Sequence, residues 1–217
     1  MPIINSLKSY GFYTPDMEIP KRLICAIYGH TGKGKSHVSL TAPSPIAVFN
    51  MDLGLTGVVH KFLKQGKDIS VINLSVPPTQ EEAILEWEKF IKAWTAVLGQ
   101  KDIRTVVVDT ETQLWELKRM AEFGKLSQIK AHHYGPANAD YSRLLREADT
   151  AIDKTFIFLR HLSPVYIDDK RTAKYESKGF GSLEKFVQVV AEIGRDSLGD
   201  GGGWWLEVNK CRLKPDM

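Results

Sequence analysis

The chain has 217 residues, 43% of them hydrophobic and 25% charged, with a formal net charge of +3 and a sequence pI near 8.7. That length holds one large domain with a buried core, and that composition is close to the average of soluble globular proteins, which excludes long disorder. The mild basicity permits a nucleic-acid partner without requiring one, and two cysteines, Cys25 and Cys211, give neither a disulfide framework nor a zinc spacing. No apolar run approaches the roughly 20 residues of a spanning helix, so no membrane association is expected. Met1 to Asn5 show neither a basic region nor a long apolar one, so no signal peptide is expected; a cytoplasmic setting follows, the host cytoplasm if the chain is phage-encoded.

Residues 1–20 read as an N-terminal arm punctuated by Pro2, Pro15 and Pro20, packing either on its own domain or on a neighbouring subunit; residues 21–217 read as the domain. Arg22 to Tyr28 is a short apolar strand ending at a glycine, followed by a glycine-rich loop and a helix that ends before Pro43. Pro45 to Asn50 reads as a second strand, Thr56 to Gln65 as a helix and Ile69 to Val76 as a strand. Thr79 and Glu82 have capping-box spacing, and the helix they open runs from Gln80 to Leu98, with Ile84, Trp87, Ile91, Trp94 and Leu98 on one core-facing stripe. Ile103 to Val108 is a β-branched strand ending at Asp109; helices over Gln113–Glu122 and Ala137–Ile152 flank a polar, basic loop. Thr155 to Leu159 is a strand ending at Arg160-His161, residues 165–178 suggest a hairpin, Ser182 to Ala191 a helix, and Trp204 to Lys210 a last strand after a glycine turn. Strands alternating with helices predict an α/β fold with a mostly parallel central sheet flanked by helices, and antiparallel strands near the C-terminal end.

The segment Gly29, His30, Thr31, Gly32, Lys33, Gly34, Lys35, Ser36 is a P-loop pattern followed by His37. Its glycines let the backbone wrap a phosphate chain and aim N–H groups inward. Lys35 is expected on the β- and γ-phosphates, Ser36 on Mg²⁺, and the helix opening at Lys35 adds the positive end of its dipole. Glycine makes up about 7% of residues, so a chance match in a chain of this length has odds of roughly 1%. The context, a strand before and a helix after, is the one the mechanism demands. Downstream, the buried strand Thr105 to Val108 ends in Asp109, the second expected Mg²⁺ ligand. ATP with Mg²⁺ is therefore the expected ligand. A GTPase would want Asn-Lys-x-Asp, whereas Asn209-Lys210-Cys211 is followed by Arg212. A nucleotide kinase would want an arginine-rich lid, and residues 165–178 hold one arginine, Arg171.

On these residues the chain resembles the RecA-like P-loop ATPases, and within them the short phage-type single-strand annealing or recombination ATPases, over roughly residues 20–215. The loop and Asp109 carry the resemblance; Arg160-His161 and Lys210-Cys211-Arg212 match by order and position. It implies a RecA-like core that self-associates into a ring or filament and hydrolyses ATP slowly. Asp52, at the end of the second strand (Phe49-Asn50-Met51-Asp52) and expected beside the loop strand, matches the water-activating carboxylate, although the family usually has glutamate there; Glu111 is the rival base. His161 matches the γ-phosphate sensor. Lys210 and Arg212 match cationic fingers that reach ATP held by a neighbouring subunit, with a solvated basic edge as the other reading.

The resemblance also implies single-stranded DNA as partner, held by two loops. The first carries Lys118, Arg119, Lys125, Lys130, His132 and His133, with Tyr134 placed to stack on a base. The second, at 165–178, offers Lys170 and Arg171. Solvated loops are the competing reading for both. The expected function is an ATPase acting on single-stranded DNA in recombination or annealing. The alternatives are an ATP-switched assembly module partnering a replication or packaging protein and, third, a small-molecule kinase.

Overall fold

The structure is a computed structural model, and it describes residues 7, 9, 10, 22–52, 54–125, 131–168, 170–196 and 203–213. Most of the N-terminal arm, and Lys130, lie outside the described residues.

Among the described residues, eight strands and six α-helices follow in the order β1 (Ile24–Gly29), α1 (Lys35–Ser39), β2 (Ile46–Asn50), α2 (Leu55–Lys64), β3 (Ile69–Asn73), α3 (Gln80–Gly99), β4 (Thr105–Asp109), α4 (Glu111–Phe123), α5 (Gly135–Thr150), β5 (Thr155–Ile167), β6 (Lys170–Ser177), α6 (Leu183–Phe186), β7 (Val189–Arg195) and β8 (Trp204–Cys211). The sheet order is β3-β2-β4-β5-β1-β7-β8, with β6 pairing the outer part of β5. Strands β3 through β7 of that path are parallel; β8 runs antiparallel to β7, and β6 antiparallel to β5. One strand, β5, separates the phosphate-loop strand β1 from β4, whose last residue is Asp109. This is an α/β P-loop fold with a mostly parallel central sheet flanked by helices and antiparallel strands toward the C-terminal end, as the sequence predicts.

Both faces of the sheet are covered, which is why its central strands are continuous apolar runs. Alternate residues serve opposite cores: Ile24, Ala26, Val106, Val108, Phe156 and Phe158 pack with the α3–α6 side, while Cys25, Ile27, Val107, Ile157 and Leu159 pack with the α1–α2 side. Burial pushes the Cys25 thiol up to about 12, so it stays a neutral, inert filler.

Helix α3 shows how the local rules act together. The backbone N–H of Glu82 donates to Thr79 Oγ1, and that hydroxyl donates to the Glu82 carboxylate at 2.8 Å. The buried line is Ala83, Phe90 and Trp94, with Trp87, Ile91 and Leu98 half-buried beside it, while Ile84 turns to solvent. The Trp94 indole N–H donates to Glu147 on α5, so the tryptophan stripe is core.

Two elements depart from expectation. The helix expected over Ser182–Ala191 is a single turn, α6, followed by β7, because Val189 to Ala191 pair with Cys25 to Ile27 of β1. The strand expected to end at His161 continues to Ile167, since β6 pairs its outer half from Leu162↔Ser177 to Ile167↔Lys170. A β-hairpin therefore stands beyond the carboxyl edge of the sheet. Among the described residues no helix is long and apolar enough to cross a membrane.

Candidate functional site

Parallel strands deliver their carboxyl ends to one edge of a sheet, and ligands of such folds bind in the crevice there. Residues 30–34 leave β1 at that edge. Gly34 has φ 86°, left-handed backbone that glycine adopts without strain, and a Cβ on it would stand 2.7 Å from the Trp204 ring. Gly29 lies so close to the Ile193 carbonyl of β7 that any side chain would force the strands apart. The loop is thus seated against β7 and β8 as well as α1.

A cavity of about 770 Å³ opens over this loop. Thr31, Gly32, Gly34, Lys35, Ser36 and His37 form its floor, Asp52, Asp109 and His161 its polar wall, and Val58, Lys61 and Trp204 its rim. The Lys35 ammonium donates to the carbonyls of Gly29 at 2.7 Å and His30 at 3.0 Å, and burial lowers its pKa against the opposing pull of Asp109 and Asp52. Ser36 Oγ donates to Asp109 Oδ2 at 2.6 Å. Burial raises the Asp109 carboxyl, with the Ser36 hydroxyl opposing it. A hydroxyl and a carboxylate side by side at the opening of a helix are hard oxygen donors. They fit Mg²⁺, which takes one or two protein ligands and completes its shell with water and substrate phosphates.

A family model described as an AAA domain matches residues 21–203. The chain belongs to that family. It is accordingly an AAA-type P-loop ATPase domain, and the cavity lies over its P-loop. No curated protein matches the chain. Among solved structures, the KaiC-like protein from the hyperthermophilic archaeon Pyrococcus horikoshii aligns at 12% identity and a TM-score of 0.48, over 88% of this chain and 79% of that one.

Asp52 reaches the cavity by a different route from the one expected. Strand β2 lies between β3 and β4 and not beside β1, yet its carboxyl end points to the same edge. Asp52 Oδ1 accepts from the Gly54 N–H at 3.3 Å, fixing the carboxylate at the wall. His161 pairs with Gly29 in register and its backbone N–H donates to Thr112 Oγ1. Burial, then Lys35, lowers the His161 pKa, so the imidazole is neutral at neutral pH.

Other expected residues are drawn elsewhere. Glu111 is fully buried, bound to Arg160 Nε at 3.0 Å and accepting from the Phe180 N–H at 2.9 Å. With no exposure to solvent it meets no attacking water, so it is corrected from rival base to structural partner. Lys118, expected on DNA, is buried between Glu122 and Asp140, each at 2.9 Å, with its ammonium over the Trp87 ring. Arg119 pairs with Glu116 and donates to the Tyr134 hydroxyl, and the Tyr134 ring packs on Phe123. Neither Lys118 nor Tyr134 is placed to grip a strand. Lys125 and His133 are exposed; the side chain of His132, like Lys130, is outside what the structure describes.

Lys210 and Arg212 stand at the amino edge of the sheet, because β8 is antiparallel and Val190↔Lys210 is near the start of β7. Lys210 donates to the carbonyls of Glu184 and Val187, and Arg212 to that of Lys185. They tie down the α6 turn at the end of the domain remote from its own phosphate loop. Lys33, the extra lysine of the loop, donates to the Arg195 carbonyl at 3.2 Å.

Sequence reasoning passed over Trp204 and Lys61 at the rim. The strand Trp204 to Lys210 is legible in the sequence, but with residues 182–191 read as helix its partner β7, which brings Trp204 onto Gly34, is not.

Proposed function

We propose that the chain is an Mg·ATP-dependent ATPase that acts on single-stranded DNA in strand annealing or recombination, working in a ring or filament of like subunits. The observation that carries the ATPase reading is the joint placement of the Lys35 ammonium, the Ser36–Asp109 pair, Asp52 and His161 around one cavity. Bound Mg²⁺ would be held by Ser36 and Asp109 and would supply positive charge against the phosphate oxygens. Lys35 neutralises the terminal phosphates. Asp52 accepts the proton of the attacking water, and neutral His161 donates to the γ-phosphate from the carboxyl edge of the sheet.

Support for the DNA partner comes from the β5–β6 hairpin, which rises from the same edge with Lys170, Arg171 and Lys174 exposed. Charges of this kind grip phosphates without reading sequence. Support for assembly comes from edge strand β8, where Trp204, Leu206 and Val208 share a face at 55%, 49% and 44% exposure. That stripe also favours the second reading, an ATP-switched assembly module without DNA affinity.

The test is the steady-state ATPase rate with and without a single-stranded oligothymidylate, with assembly size measured on the same samples. Stimulation by the oligonucleotide is the expected result. Nucleotide-dependent assembly with no oligonucleotide binding would overturn the DNA reading and favour the module.

A further inference from the structure

The β5–β6 hairpin touches the nucleotide site at two places, and the phosphate loop is one of them. At its root, Lys178 N–H donates to the His161 carbonyl, while the Lys178 carbonyl accepts from Arg160 Nε and from Thr112 Oγ1, both at 2.9 Å. The buried Glu111–Arg160 pair lies behind this knot, and Gly179 passes so close to the Glu111 carboxylate that no side chain fits. The root is therefore rigid. Further along β6, the Tyr175 ring stands edge-on to the imidazole of His30, with centroids 4.4 Å apart and planes at 86°.

His30 faces two ways. Its ring meets Tyr175, and its carbonyl holds the Lys35 ammonium at 3.0 Å. Tyr175 in turn is chained to Arg171, whose guanidinium lies 5.9 Å from the ring centroid and donates to the phenol oxygen at 2.9 Å. A continuous line of contacts runs from an exposed cation on the hairpin, through Tyr175 and His30, to the lysine that meets the phosphates.

We infer that Tyr175 is a positioning residue that couples the hairpin to the phosphate loop: through His30 it sets where Lys35 stands, so that a polyanion drawing on Arg171 changes the hold on ATP. This rests on the ATP reading of the site and deepens it. Coupling is reciprocal, so ATP must change the hairpin's affinity for the polyanion by the same factor.

The experiment measures binding of a slowly hydrolysed Mg·ATP analogue to the full chain and to Tyr175→Ala, Tyr175→Phe, His30→Ala and the double alanine variant. An edge-to-face pair is worth a change of about two- to tenfold in affinity. Tyr175→Ala and His30→Ala should each weaken binding by that factor, the double variant no further, and Tyr175→Phe, which keeps the ring, should restore it. A loss that comes only from misfolding would neither saturate in the double variant nor respond to phenylalanine. Wild-type affinity in Tyr175→Ala, or losses that multiply in the double variant, would overturn the inference. Absence of binding by the wild-type chain would overturn the ATP reading and the inference with it. In a second arm, the analogue should shift oligothymidylate affinity in the wild type and not in Tyr175→Ala. An equal shift in both overturns the coupling, while no oligonucleotide binding by any chain overturns the DNA reading and leaves the first arm to decide the role of Tyr175.

Discussion

The two ends of the sheet use the same contact, a cation on backbone carbonyls, for different purposes. At the amino edge, Arg22 donates to the carbonyls of Ala148 and Asp149 at the end of α5, and Lys210 and Arg212 donate to the carbonyls around α6. These cations satisfy carbonyls that helices leave unpaired at their C-termini and sit at the negative end of the helix dipole. At the carboxyl edge, Lys35 donates to Gly29 and His30, but there the ammonium also faces a cavity walled by Asp109 and Asp52. Charge alone does not make a site. What matters is whether the charge stands where strand ends, a glycine loop and a helix opening leave room for a polyanion.

The carboxylates make the same contrast, and the largest expected effect lies there. Asp52 lines the cavity and Glu111 is buried against Arg160, so Asp52→Asn should slow turnover by about 10²–10⁴, the usual loss for a positioned base, while leaving Mg·ATP binding nearly intact. Single-turnover hydrolysis checks this, and a loss below tenfold would move the base elsewhere. Glu111→Gln should act on stability instead. It leaves Arg160 with no compensating charge, and breaking a buried pair costs about 3–5 kcal/mol. In a chain of this size that lowers Tm on the order of 10 °C. Unchanged melting with abolished turnover would return Glu111 to the chemistry.

At the amino edge the expected effects are smaller. Lys210→Ala and Arg212→Ala each remove partly exposed hydrogen bonds to carbonyls, worth about 1 kcal/mol, and should lower Tm slightly with turnover per folded molecule nearly unchanged. A fall of about 10³-fold or more, the worth of a cation supplied in trans, would show that these residues reach a neighbour's nucleotide. Mixing Lys35→Ala with Arg212→Ala distinguishes the two accounts, because only a finger acting in trans restores activity in mixed assemblies. The smallest effect belongs to His161. Its folded pKa is depressed by burial and by Lys35, so the stability it contributes is present above the unfolded value near 6.5 and is lost as pH falls through the lower folded value. Melting followed from pH 8 to 5 should show that loss, and His161→Asn should flatten it.

Much of the carboxyl edge was legible because its signals are local. Glycines at fixed offsets before Lys35-Ser36, a β-branched run ending in Asp109, and a capping box at Thr79 each act within a few residues. Asp52 reaches the edge although β4 and β5 separate β2 from β1, because every parallel strand sends its carboxyl end to the same edge. The amino edge and the hairpin were not legible in this way. Whether Lys118 meets DNA or sits between Glu122 and Asp140 depends on where α5 packs, and no spacing in the sequence states that. Val189 to Ala191 fit a helix stripe as well as a strand, and only pairing with β1 decides. Tyr175 meets His30 across 145 positions of chain, a contact made by the fold and not by any motif.

Lys35, Ser36 and Asp109 are expected to form a phosphate and Mg²⁺ site, and equilibrium binding of Mg·ATP to the wild-type and Lys35→Ala chains decides whether they do. The lysine donates to loop carbonyls and faces the cavity, so its loss should abolish tight binding while far-UV circular dichroism and Tm stay near those of the wild type. A Lys35→Ala chain that binds Mg·ATP as tightly as the wild type would contradict the account.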